Sequence, residues 1–210
     1  MKKNTIFATL FFIAAAIGGG MLLSLNSCAQ LNSLMGLTRV QFKLQDAVNV
    51  NLAGINMTGK KSISDISVMD GLNLARAFAT GKFPLTFTLY VAAKNPNAKD
   101  PKSNLSNTFA LEEFPWRLLI DSKETITGGI ANAVALPDGG TTTTIPLQMS
   151  IDLKQFFAEK GYEDMANLAM AIAGEGTSRL QLNAKPTIST PIGNMTYPKE
   201  LNIVSTEFRN

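Results

Sequence analysis

Between Leu85 and Ala93 every second residue is apolar, with Leu85, Phe87, Leu89, Val91 and Ala93 on one side of an extended chain and Thr86, Thr88 and Tyr90 on the other. A side-chain period of two gives a β-strand one dry face and one wet face, whereas helical spacing would scatter those residues around the axis. The pattern recurs along the chain. Val40, Phe42 and Leu44 alternate with Gln41, Lys43 and Gln45, and Val48, Val50 and Leu52 alternate with Asn49 and Asn51. Phe114, Trp116, Leu118 and Ile120 repeat it, as do Ile145, Leu147, Met149 and Ile151 behind the threonines Thr141 to Thr144. Leu180, Leu182 and Ala184 form a further strand, and Leu201 to Phe208 closes the set at about seven strands.

Turn-forming residues separate these runs: Asn95-Pro96-Asn97, Asp100-Pro101, Gly128-Gly129, Pro137-Asp138-Gly139-Gly140, and the stretch from Pro186 to Pro198 with its three prolines. One-sided strands at short spacing predict an antiparallel β-sandwich, in which two apolar faces bury each other. Two stretches change to helical spacing. Asp70 is read as the cap of a short helix near 70–80, with Leu74, Ala77 and Phe78 on one face and Thr80-Gly81 at its end. Asp152 caps a second stretch, 152–174, which carries Phe156 and Phe157, breaks at Gly161, and resumes with Met165, Leu168, Ala169 and Ile172. Both are expected to cover an open end or edge of the sandwich. The methionine-bearing face is read as a packing face, with docking as its alternative.

Ahead of the strands, Lys2 and Lys3 precede an apolar run from Ile6 to Leu25, the order of a secretory signal. Leu25-Asn26-Ser27-Cys28 follows, and it contains the chain's single cysteine. This string resembles the bacterial lipoprotein box, which implies cleavage of residues 1–27 and acylation of Cys28. A lone exported cysteine has no internal disulfide partner, and lipid attachment gives it a role. Residues 28–38 then form a lipidated N-terminus and an uncharged spacer, Ala29 to Thr38, and 39–210 a single domain. An uncleaved membrane anchor and ordinary cleavage with a spare thiol are the competing readings. Ala29 after Cys28, with no acidic cluster nearby, points to the outer membrane facing the periplasm.

Composition restricts the chemistry. The whole chain carries a formal charge of +3, which falls to +1 without the two leader lysines, and no Lys/Arg run follows. Nucleic-acid binding needs a clustered positive face and is not expected. With no histidine anywhere, the commonest general base and metal ligand are missing. No S-x-x-K or G-x-S-x-G motif is present, and Gly174-Glu175-Gly176 lacks the third glycine of a dinucleotide loop. The carboxylates are isolated or structural in placement: Glu112-Glu113 point to opposite sides of an extended segment, Glu163-Asp164 open a helix, and Asp121, Glu124, Asp138 and Asp152 sit at turns and strand ends. No catalytic residue, cofactor or metal is expected.

The strand ending at Lys94 runs directly into Asn95-Pro96-Asn97, and later come Trp116 to Ile120, a turn at Asp121 to Lys123, Thr125 to Ile130, and Thr142-Thr143-Thr144-Ile145-Pro146-Leu147. In order and spacing, about residues 83–151 resemble the group 2 late embryogenesis abundant, or water stress and hypersensitive response (WHy), domain. The helices near 70–80 and 152–174 and the long tail depart from that pattern. The resemblance implies an immunoglobulin- or fibronectin III-like sandwich without catalytic residues, associated with stress and desiccation tolerance. Asn95, Pro96 and Asn97 enter as structural signature residues.

The functional expectation is a non-enzymatic, lipid-anchored envelope protein that protects or scaffolds other envelope components. Its partners would be the membrane, through the lipid, and an envelope protein or glycan. The alternatives are a module whose Thr, Asn and Gln faces bind a glycan or peptide, and an accessory subunit docking through a sheet edge or the 152–174 insertion. Trp116 shares parity with Phe114 and Leu118 and is assigned to the core.

Overall fold

The computed structural model describes residues 40–97, 108–174, 179–190 and 193–209. Cys28, its leader and the spacer lie outside these described residues, as does the Asp100-Pro101 turn.

The clearest alternating segments form the first sheet. Strands β1 (Gln41–Leu52), β2 (Ile55–Asn56), β3 (Pro84–Lys94) and β8 (Thr142–Asp152) lie in the order β2-β1-β3-β8. All neighbours are antiparallel, and β3 and β8 pair without a slip from Pro84↔Asp152 to Lys94↔Thr142. The two expected strands at 40–45 and 48–52 are one strand. Register slips between Leu44 and Ala47 and between Val48 and Asn51 absorb the break in alternation, with Asn49 left-handed at φ 55°.

Strands β4 (Phe109–Glu113), β5 (Trp116–Ile120), β6 (Lys123–Gly128), β7 (Val134–Leu136), β9 (Leu180–Ala184), β10 (Thr187–Thr190), β11 (Gly193–Thr196) and β12 (Leu201–Ile203) build two more four-stranded sheets. Their orders are β11-β10-β4-β7 and β12-β9-β5-β6. The two are halves of one layer. β4 leads to β5 across Pro115, β9 leads to β10 across Pro186, and the Lys185 amide donates to the Pro115 carbonyl at 3.1 Å between them. Proline cannot donate to a ladder, so two facing prolines crease the layer where it turns. A bulge sets Leu111 opposite Ile188 and Glu113 opposite Thr187, leaving Glu112 extra; this keeps both Leu111 and Phe114 facing inward.

The apolar faces of all three sheets meet in one buried cluster. Phe42 of β1 stacks on Phe114 with ring centroids 5.5 Å apart, which joins the first sheet to the creased layer. Each such large side chain contributes roughly 1.5–3 kcal/mol by leaving water. The chain thus adopts the expected mainly β, antiparallel fold with short helical insertions. It has more strands than the pattern suggested. The Pro186–Pro198 stretch, read as turns, contains the β10-β11 hairpin, because its prolines flank the paired residues instead of interrupting them. The closing strand is also shorter than Leu201 to Phe208; β12 ends at Ile203, and Arg209 returns to bridge Phe42.

Helix α1 (Val68–Ala79) follows a 3₁₀ turn at Ile63–Asp65. Its cap is Ser67, whose Oγ accepts from the Asp70 amide at 3.1 Å, so Asp70 lies in the first turn and is not the cap. A hydroxyl three positions ahead of an amide is correctly placed for that bond. Thr80 ends the helix, with Gly81 at φ 79°. Asp152 does cap α2 (Leu153–Phe156), and Met165, Leu168, Ala169 and Ile172 of α3 (Tyr162–Gly174) are all buried, as a packing face should be. α3 packs on β1.

Candidate functional site

The signature turn joins the two layers. Asn95 is fully buried at the end of β3, Pro96 is exposed, and Asn97 is nearly buried. The Asn95 side chain donates through Nδ2 to the Leu136 carbonyl at 3.1 Å, reaching β7 of the other layer. Its Oδ1 accepts from the backbone amide and the Nδ2 of Asn97, at 3.2 and 2.8 Å. The returning chain completes the arrangement: the Gly140 amide donates to the Asn95 carbonyl at 2.8 Å, and the Gly139 amide to the Asn97 carbonyl at 2.9 Å. Both glycines have positive φ, near 80°, which their lack of a Cβ permits. Through these bonds the two asparagines hold the β7–β8 turn against the end of β3.

Several carboxylates are engaged in pairs: Asp121 accepts from Nε and Nη2 of Arg179, at 2.7 and 2.6 Å; Glu124 and Glu200 flank Arg117; Glu113 accepts from Thr187. Asp152 Oδ1 accepts from the Phe83 and Lys154 amides, at 3.0 and 3.1 Å, and so ties the start of β3 to α2. Among the described residues no three of His, Cys, Asp and Glu are grouped to hold a metal ion. The Tyr197 hydroxyl donates to the Val40 carbonyl at 2.9 Å, and burial pushes that phenol well above its ordinary pKa.

Clefts lie at several places among the described residues, including one of about 540 Å³ beside Lys60, Lys61 and Asn167, and two of them flank β8. On the outer face of the first sheet, Asn49, Asn51, Thr86, Thr88, Gln148 and Ser150 line a trough of about 540 Å³. The alternation creates it: the residues that keep the other face dry leave hydroxyls and amides on this one. Asn51 is oriented by a bond from its Nδ2 to the Asn49 carbonyl at 2.7 Å. On the inner side, a cleft of about 420 Å³ runs between residues 129–134 and residues 145–148, with Trp116 in its lining. No ionisable side chain lines either one. Trp116 is 6% exposed, a core residue as its parity required, yet its Nε1 is the buried side-chain polar atom left without an acceptor among the described residues. Gly128, paired with Trp116, lies so close that a Cβ there would sit 2.3 Å from the indole. Neither trough nor cleft was legible as a site, because each assembles segments far apart in sequence. Only the Thr, Asn and Gln strand faces hinted at the trough.

A third surface is apolar. Val68, Met69 and Leu72 on α1 are 84, 65 and 49% exposed, the large hydrophobic residues left in water among the described residues.

No protein-family model matches this sequence, and no curated protein matches it. Solved structures superpose loosely. A protein from Archaeoglobus fulgidus gives a TM-score of 0.32 at 13% identity over 53% of this chain and 78% of its own. The solution structure of a protein provisionally described as late embryogenesis abundant gives 0.34 at 15% identity, over 91% of this chain and 86% of its own. A structural-genomics target solved by X-ray gives 0.37 at 9% identity, over 82 and 90%. At these scores and identities the superpositions assign no activity.

Proposed function

We propose that this chain is a non-enzymatic, lipid-anchored envelope protein, attached through Cys28 to the outer membrane and facing the periplasm, whose sandwich holds or protects another envelope component. The observation that carries the reading is the surface around β8, a built trough and cleft with neutral hydrogen-bonding groups and no ionisable side chain. Such a surface suits a partner presenting hydroxyls or peptide groups, and it lacks the charges that recognition of phosphate or a cation needs. The string Leu25-Asn26-Ser27-Cys28 supports the anchor. The N-P-N turn and Ile145-Pro146-Leu147, which resemble the WHy domain, support a stress-protective setting.

The test is crosslinking in cells followed by affinity purification, with Cys28→Ala as the unanchored control. Recovery of an envelope partner that depends on Cys28 is the expected result. A strain lacking the protein should also survive drying less well than its parent. Equal survival, with equal recovery from anchored and unanchored protein, would overturn the reading. An accessory-subunit role is the second reading, and the exposed Val68, Met69 and Leu72 favour it, since a contiguous apolar patch on a helix suits a docked protein.

A further inference from the structure

We propose that the open edge of β8 binds an extended peptide segment of another protein as an added strand, with side chains that alternate apolar and polar. This rests on the holding function above and names the class of partner held. Among the described residues β8 forms a ladder only with β3; β7 touches its start, where the Thr143 Oγ1 donates to the Ala135 carbonyl at 3.2 Å, so the free edge is the stretch from Ile145 to Ile151. Its direction follows from Pro146. A proline is tolerated inside a paired strand where its missing N–H would face away from the neighbour. Pro146 therefore places the even-numbered backbone groups, those of Gln148 and Ser150 among them, toward the open side, while the odd-numbered ones bond β3. The edge carries no charged gatekeeper, as Thr142 to Ile151 has no ionisable side chain, and Pro146 withholds one outward N–H, so the donors it offers are those of Gln148 and Ser150.

The two surfaces beside this edge state what the incoming strand must look like. Successive side chains of a strand point to opposite faces. One set would enter the cleft, walled by Ile130, Val134 and Leu147 and lined by Trp116; the other would lie on the outer face beside Gln148 and Ser150, the polar side chains of β8 at the near rim of the trough. Gln148 belongs to both, so cleft and trough flank the same stretch of edge. Trp116 lines the cleft, and its buried Nε1 has no acceptor among the described residues; an indole turned toward an incoming peptide carbonyl would give that costly buried donor a partner. In strand addition the main chain gives affinity and the alternate pockets give selectivity.

The experiment uses the full chain and a capped octapeptide alternating valine with threonine, against a control of the same composition with its valines grouped. Amide hydrogen exchange is read at Gln148 and Ser150, and fluorescence at Trp116, the chain's single tryptophan. In the free protein those two amides should exchange faster than Leu147 and Met149. Alternating peptide at ten times its Kd should slow them about elevenfold and shift the Trp116 emission, with the grouped peptide doing neither. Gln148→Pro, which removes one outward N–H, should weaken binding; Ser150→Lys, which keeps its N–H and adds a charge, is the second variant should the first not fold. Amides already protected in the free protein, equal effects of both peptides, or protection that grows with protein concentration alone would overturn the proposal, the last by identifying a second copy as the occupant. Peptide failure with intact Cys28-dependent capture in cells would sink strand addition and leave the holding function standing; loss of both would remove the two together.

Discussion

Replacing Asn95 should show that the signature turn is a structural lock. Asn95→Ala removes the three side-chain hydrogen bonds seen among the described residues, one to the Leu136 carbonyl and two from Asn97, in a position with no solvent access to replace them. At about 1 kcal/mol net for each, with a further ~1 kcal/mol for groups left buried and unpaired, the loss comes to about 4 kcal/mol. In a domain of this size that lowers Tm by roughly 10 °C. Asn95→Asp sharpens the test. One carboxylate oxygen still accepts from Asn97, but the other replaces a donor and faces the Leu136 carbonyl. Burial and that opposing oxygen raise the folded-state pKa of the new acid above its unfolded value of about 3.9. The sign follows: the protonated acid donates as Nδ2 did, so the variant is closest to wild type below pH ~4 and falls away as pH rises through the raised pKa. Urea denaturation of both variants at pH 4 and pH 7, read by circular dichroism and compared with wild type at each pH, measures this. A cost for Asn95→Ala under 1 kcal/mol, or an Asn95→Asp deficit that does not grow with pH, would refute the lock.

Three further outcomes are expected. Tyr197→Phe gives up the bond to the Val40 carbonyl and should cost about 1 kcal/mol at neutral pH. Because burial raises that phenol, its contribution is complete below the unfolded pKa of about 10 and is lost above it, so from pH 9 to 11 wild type should lose more stability than the Phe variant. Asp152→Ala leaves the Phe83 and Lys154 amides without their acceptor and should cost about 1–2 kcal/mol in urea denaturation, with Asp152→Asn milder. Gly128→Ala drives a methyl into the Trp116 ring and should destabilise by about 3 kcal/mol, with the Trp116 emission moved to the red as the indole is displaced.

Segments that carry their own pattern were readable in the sequence, and those that borrow their structure from elsewhere were not. β3 from Leu85 to Val91 and β8 from Ile145 to Ile151 alternate because one face of each is buried, and α3 shows its spacing because Met165, Leu168, Ala169 and Ile172 share one dry face. β6 and β11 are edge strands without a fully buried residue, so burial imposed no alternation on them. The bulge at Glu112 hid β4, since it shifts the parity between Leu111 and Phe114. Asn95-Pro96-Asn97 was visible as a turn, but its partners Leu136, Gly139 and Gly140 lie some forty residues away, and no local rule names them. Trp116 could be placed in the core by parity. That its Nε1 lacks an acceptor among the described residues, and that it shares a cleft with residues 129–134, only the fold decides.

The start of β1 is gripped from several directions: Phe42 exchanges backbone bonds with Arg209, the Leu44 amide donates to the Val204 carbonyl, Tyr197 holds Val40, and β3 runs alongside as far as Leu52. A pull arriving through the residues before Val40 therefore meets the tail and the centre of the first sheet at once. It loads the long β1–β3 ladder in shear, where many bonds must yield together, and the clamp of the C-terminal tail stands in its path before the core is reached. Resistance to such a pull is concentrated where the described chain begins, at Val40 to Leu44.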